Sequence, residues 1–194
     1  MRVGLLGQVR RVWAPRGVKV RQEVELKYEW AYLNLAVNGL TGTLYWEWTP
    51  NMKQEAIAGV VEALKEKGVQ AIVWDGAPGH RAQKVKELGV TLIRLPPYSP
   101  ELNPAERVFE ELRRQVEGRV YGSIERKKEA VERELQRLAA DPERVKSLAG
   151  WDWIKEAVAQ GTPQKKELLA PVLLPSHLFS ERCTVLSIEN MSFQ

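Results

Sequence analysis

The chain has 194 residues, 44% apolar and 28% charged, the balance of a soluble globular protein with one core, or a core plus a tail. It has no run of about 18 apolar residues, which excludes a transmembrane helix, and "MRVGLLGQVRR" lacks the apolar stretch of a signal peptide. A single Cys183 excludes an internal disulfide and fits a reducing, cytoplasmic setting; together with only His80 and His177 it is too little for a zinc cage. Any catalytic metal must therefore be held by carboxylates, which points to Mg²⁺ or Mn²⁺. The net charge of +4 is unevenly placed: Arg2, Arg10, Arg11, Arg16 and Lys19 fall in the first twenty residues with no acid among them. Such a patch suits a phosphate backbone, and a solvated basic surface is the other reading.

Along the chain, Val18, Val20, Val24, Leu26 and Tyr28 alternate with Lys19, Arg21, Glu23, Glu25 and Lys27, predicting a half-buried strand. "WAYLNLAVNG" (30–39) is apolar on both faces and predicts a central strand, turning at Asn38-Gly39 into a partner, "TLYWEW" (43–48). From Asn51 to Lys67 the period changes: Met52, Ala56, Ile57, Val60, Val61 and Leu64 form a helical stripe closed by Gly68. "VQAIVW" then predicts a buried strand ending at Asp75, followed by a short helix over 80–88 with Gly89 as its cap, and a strand "VTLIR". Ala105, Val108, Phe109, Leu112 and Val116 mark the next helix, and another runs from a Ser123 cap to about Ala140. Shorter helices are expected on either side of Trp151 and Trp153, whose rings read as core. From Gly161 the period is lost, and only "CTVLSIE" suggests a strand. The order predicts an α/β fold, a mixed sheet flanked by helices.

A buried strand gains nothing from an aspartate at its tip, yet Asp75 stands there, and Glu106 follows in the first turn of the next long helix. Catalytic groups collect beyond strand ends in α/β sheets, and two such carboxylates can share divalent metals about 3.5–4 Å apart. Asp75 as a turn cap and Glu106 as a partner of the helix N-terminus are the structural alternatives. Those alternatives leave the proline-rich "LPPYSPELNP" between them unexplained, because a rigid loop is useful chiefly where a carboxylate must be held at fixed geometry.

"VWDGAPGH" followed by "LIRLPPYSPELNPAERVFEELR" resembles the catalytic core of bacterial insertion-sequence transposases related to mariner, of the DDE superfamily, and "RRVWAPRG" and "YEWAYLNLAVNGLTG" add to the likeness. The resemblance covers about residues 1–160, implying an RNase H-like catalytic core there and an appended tail over 161–194. It implies that Asp75 and Glu106 are the second and third metal-binding acids, on Mg²⁺ or Mn²⁺. It also places His80 where the family has a common histidine, able to meet a phosphate or merely a loop carbonyl. Arg10, Arg11, Arg16 and Arg107 become candidate DNA contacts, although Arg107, Arg113 and Arg114 can equally pair with Glu110, Glu111 and Glu117 on a solvated face. Arg126–Lys128 reads as solvated.

Two departures matter. Gly76 stands where the family usually has Asn, and the family's first Asp lies just ahead of the segment matching "RVGLLG". The usual first strand, its acid and the upstream recognition helices are therefore expected to be absent. The implied activity is metal-dependent DNA cleavage and strand transfer, with transposon ends, target DNA and a second copy of the chain as partners. An inactive remnant acting as a DNA-binding or subunit-interaction module is the alternative. In the tail, "TVLSIENMSF" (184–193), with Glu189, resembles the missing strand and its acid, filled within one chain or by exchange between two copies.

Overall fold

The computed structural model describes residues 1–7, 13–74, 87–96 and 99–152, and the backbone of 183–187. Strand β2 (Trp30–Asn38) is the sheet's axis, as its two-faced apolar pattern requires. Leu33, Leu35 and Val37 enter a core with three helices, α2 (Pro104–Val116), α3 (Ile124–Ala139) and α4 (Pro142–Ala149). Ala36, on the other face, joins a second core beneath α1 (Gln54–Glu66). The predicted stripe residues Ile57, Val60, Val61 and Leu64 of α1, and Ala105, Val108, Phe109, Leu112 and Val116 of α2, are all buried. Ser123 caps α3, as expected, by accepting the Arg126 N–H.

One edge of β2 pairs antiparallel along its length with β3 (Thr43–Thr49), from Tyr32↔Thr49 to Asn38↔Thr43. The Asn38 side chain makes the turn, accepting the N–H groups of Leu40 at 2.9 Å and Thr41 at 3.1 Å. Gly42 is required here: its φ is 75°, and a Cβ would lie 2.2 Å from the Pro142 carbonyl oxygen. Against the helices, the Trp46 and Trp48 Nε1–H groups both donate to the Glu132 carboxylate, at 2.6 and 3.2 Å, tying β3 to α3.

The other edge of β2 is shared. Strand β1 (Arg2–Gly4) pairs antiparallel with Trp30–Tyr32, and β6 (Cys183–Ser187) pairs antiparallel with Leu35–Val37. Strand β6 then pairs in parallel with β4 (Ala71–Trp74), and β4 in parallel with β5 (Thr91–Arg94). Among the described residues the order is β1-β2-β6-β4-β5, with β3 on the outer edge of β2. The mixed sheet flanked by helices is as expected. The tail is not wholly appended: its one predicted strand lies in the middle of the sheet, because both β2 and β4 offer it an open edge.

The strand expected over Val18–Tyr28 does not form, and the apolar face expected to be half-buried is largely exposed. Val18, Val20, Leu26 and Tyr28 are exposed, while Glu25 is buried. Alternation marks only which residues can share a face; a strand also needs a ladder. Among the described residues beyond β1, this segment's backbone is met once, where Gly7 N–H donates to Glu25 O at 2.8 Å, while Leu5 N–H bonds Glu29 O at 3.0 Å just past its end. What secures it is the Glu25 carboxylate, which accepts the N–H groups of Tyr121 and Gly122, each at 3.2 Å, with Lys27 at 3.6 Å. Predicted helix 80–88 lies mostly outside the described residues.

Burial alone would raise the Glu25 pKa, but the Gly122 and Tyr121 amides and Lys27 outweigh it and leave the pKa below the usual carboxylate value. A carboxyl whose pKa is lowered on folding adds stability above its unfolded pKa, and that stability is lost as pH falls through the folded one. Thermal melts of Glu25→Gln against the parent should therefore differ most near neutral pH, and the gap should close below about pH 4. A gap independent of pH would show that the carboxylate's charge is not what holds the segment.

Candidate active site

The proline-rich loop prepares one carboxylate. Pro100 opens a single 3₁₀ turn, Pro100–Leu102, in which Leu102 N–H bonds Ser99 O at 3.1 Å and Asn103 N–H bonds Pro100 O at 3.0 Å. Asn103, buried with 3% exposure, then caps α2, its Oδ1 accepting the Ala105 N–H at 3.2 Å. Pro104 takes the first helical position, where its missing N–H costs nothing. Glu106 follows in the first turn, half-buried, with its own N–H on Asn103 O at 3.1 Å. The positive end of the helix dipole favours negative charge in that turn, so the position suits a carboxylate. Two rigid prolines and a side-chain cap thus hold Glu106 without a long lever of flexible chain.

The other expected acid follows β4 directly. Trp74, the last residue of β4, is 3% exposed, and Leu95 N–H bonds its carbonyl at 2.8 Å. Asp75 itself, Gly76 and His80 lie outside the described residues, as do Arg10, Arg11 and Trp153. Arg16 is described and exposed, on a turn with Gly17. Arg107 is exposed and bonded to Glu110 at 3.1 Å, with its guanidinium 5.7 Å from the ring centre of half-buried Trp151. The solvated-face pairing expected for the α2 arginines is present for Arg107 with Glu110; Arg114 also pairs with Glu111, but Glu111 is buried.

Some residues do more than the sequence suggested. Glu111 is buried and faces three guanidiniums, Arg114 at 3.5 Å, Arg144 at 3.7 Å and Arg137 at 3.9 Å, which draws α2, α3 and α4 together. Lys127 is not simply solvated: its Nζ donates to Gly4 O at 2.6 Å and so secures β1 to α3, while Lys128 lies 5.0 Å over the Trp48 ring. The helical spacing that reveals α3 as amphipathic shows which face is polar, not that its lysines reach back to another strand.

Among the described residues no three His, Cys, Asp or Glu side chains are grouped to hold a metal. The acids available near the loop are hard oxygen donors, which fit Mg²⁺ or Mn²⁺ and not a soft ion. No helix among the described residues is long and apolar enough to cross a membrane.

Residues 1–128, about two thirds of the chain, match the family model described as "DDE superfamily endonuclease". The chain belongs to the DDE superfamily endonucleases. Among solved structures it is similar to the catalytic core domain of BIV integrase in crystal form I, at 20% identity and a TM-score of 0.36, over 60% of this chain and 70% of that one. No curated protein matches. Membership of a DDE family agrees with the RNase H-like reading of the mixed sheet, and the matched residues include the whole of the β4–loop–α2 segment.

Asn103→Ala should cost about 1 kcal/mol of stability through loss of the cap and, if Glu106 is a metal ligand held by that cap, should also weaken metal binding. A stability change of that size would not do the latter by itself. Chemical denaturation and Mn²⁺ calorimetry on one preparation separate the two effects. Unchanged metal binding would reduce Asn103 to a helix cap.

Proposed function

We propose that the chain is the catalytic-core part of a transposase of the insertion-sequence, mariner-related kind, in which Asp75 and Glu106 hold Mg²⁺ or Mn²⁺ against a DNA phosphodiester. The carrying observation is the placement of Glu106 in the first turn of α2, on a loop stiffened by two prolines and capped by Asn103. A second observation supports the pairing. Ile72 and Trp74 of β4 belong to the core under α1, so the strand's alternation assigns the next position to the opposite face. That is the face covered by α2, whose Ala105, Val108 and Phe109 pack with Leu33, Leu35 and Val37. This alternation supports the reading that Asp75 and Glu106 act from one side of the sheet.

A divalent ion at such a site supplies Lewis-acid chemistry for cutting and joining phosphodiesters. The protein's share is positioning. Glu106 is fixed by the cap of α2, and Asp75 by the end of a buried strand. Arg10, Arg11 and Arg16 offer cations for the DNA backbone, with His80 and Arg107 nearer the acids in sequence. Transposon ends and target DNA are the proposed substrates, and a second copy of the chain the proposed partner.

Mn²⁺ titration tests the acids directly. Asp75→Asn and Glu106→Gln should each weaken binding about tenfold or more, as expected for loss of an ionised ligand. Any Mn²⁺-dependent nicking of supercoiled plasmid by the parent chain should fall sharply in both variants. Metal binding indifferent to both substitutions would remove the DDE assignment from these residues. Efficient nicking that survives them would place the chemistry elsewhere.

DNA binding should be sequence-tolerant and salt-sensitive, since the candidate contacts are arginines suited to phosphates and not a helix presented to base edges. Affinity should fall at least about tenfold between 50 and 200 mM salt. A gel shift unchanged over that range, or one strongly favouring a single sequence, would contradict this picture.

A further inference from the structure

Strand β1 has a second edge. The Leu33 N–H donates to Met1 O at 2.8 Å and the Leu5 N–H to Glu29 O at 3.0 Å, so the odd residues spend their backbone groups toward β2. The alternation of an antiparallel ladder turns the backbone groups of Arg2 and Gly4 the other way. Among the described residues no strand pairs with that outer edge. A cavity of about 430 Å³ lies along it instead, lined also by the C-terminal end of α2 and by Lys127 of α3. That volume falls in the range of small-ligand sites.

The wall is rich in donors. Arg2 lies with its guanidinium 4.3 Å from the centre of the Trp30 ring, which fixes the plane of its fork. That ring is seated on Gly4, where a Cβ would stand 2.1 Å from its Cε3 and Cζ3 atoms. Among the described residues no carboxylate pairs with Arg2. Arg119 follows Gly118, whose φ of 79° turns the chain off the end of α2, and it too has no acid partner there. Arg2, Arg113, Arg119 and Lys127 outnumber the acids of the wall, Glu23, Glu25 and Glu117. Of these acids, Glu25 is spent on the Tyr121 and Gly122 amides and on Lys27.

An extended peptide docking on this edge would need acceptors as well as donors from it. The acceptor at its centre, Gly4 O, is already held by the Lys127 ammonium at 2.6 Å. What stays available is the Gly4 N–H with two guanidiniums, a set that fits a ligand made of acceptors only. A planar fork and a backbone amide match the oxygens of a phosphate. The cavity has room for more than a bare phosphate, and the chain's endonuclease family makes nucleotides the esters to consider. We propose that the cavity between the outer edge of β1 and the end of α2 binds the phosphate ester of a nucleotide, with Arg2 and Arg119 as cationic contacts and Gly4 N–H as a backbone donor. Glu106 does not line this cavity, so binding here needs no divalent ion. A free nucleotide and a DNA strand both supply such a phosphate, and the contacts on the protein are the same.

Calorimetry in EDTA reads this site with no metal at the acids. The probes are thymidine 5′-monophosphate and single-stranded octathymidylate, each titrated into the full chain. Arg2→Gln and Arg119→Gln should each weaken binding about tenfold, since each removes a charge-assisted contact. Arg2→Lys should recover only part of that loss, because an ammonium keeps the charge without the fork. Arg119 is exposed, so its replacement leaves the fold intact and keeps the test open if the Arg2 variants unfold. Lys65→Gln, on α1 and outside the cavity, should change nothing. Thymidine monophosphate bound by the parent and lost in the arginine variants assigns a free nucleotide. Octathymidylate bound alone, with the same losses, assigns a phosphodiester of a DNA strand. No binding of either probe by the parent overturns the site. Binding that survives both arginine replacements, or that falls equally in Lys65→Gln, overturns it as well, since surface charge alone would then account for it.

Discussion

Backbone hydrogen bonding across the inner edge of β2 is the constraint on which the sheet depends. Each N–H and C=O on that edge is costly to bury without a partner. Strand β1 covers only Trp30–Tyr32, leaving the more deeply buried half of β2 to another strand. The open edge of β4 makes the same demand. One short strand, Cys183–Ser187, meets both at once, antiparallel on one side and parallel on the other. Through the described strands, it is what makes β1-β2-β3 and β4-β5 a single sheet.

The helices could be read from sequence because their burial is decided locally. A stripe such as Ala105, Val108, Phe109, Leu112 and Val116 has one way to face a core, and all five are buried. Strand β2 was legible for a related reason: nine residues apolar on both faces belong in the middle of a sheet. Residues 18–28 carry as clean an alternation, yet no strand forms. Among the described residues the neighbours offer no continuous ladder along the segment, and Glu25 finds two backbone N–H groups across the chain at Tyr121 and Gly122. A partner about ninety-six residues away leaves no periodic trace.

The candidate site divides along the same line. Asn103, Pro104 and Glu106 lie within four residues, but the proline-rich loop and Glu106 could be read from the sequence, whereas the Asn103 cap came to light only in the structure. The tail strand was visible as an apolar run, but its place was not, because apolar character says that a segment is buried and nothing of which edge receives it. Register, which no single sequence displays, decides which β6 residues lie level with Leu35 and Trp74: a shift of one residue along a strand exchanges every position's face and neighbour.

A strand that joins from a distant part of the chain has a thermodynamic consequence. Thirty residues separate Asp152 from Cys183, and closing so long a loop carries an entropy cost that grows only slowly with its length. Against that cost stand the ladders on two sides of β6 and the burial of β2's Leu35, Ala36 and Val37, each at most 1% exposed. These are backbone gains that any apolar segment of suitable length would bring to the slot.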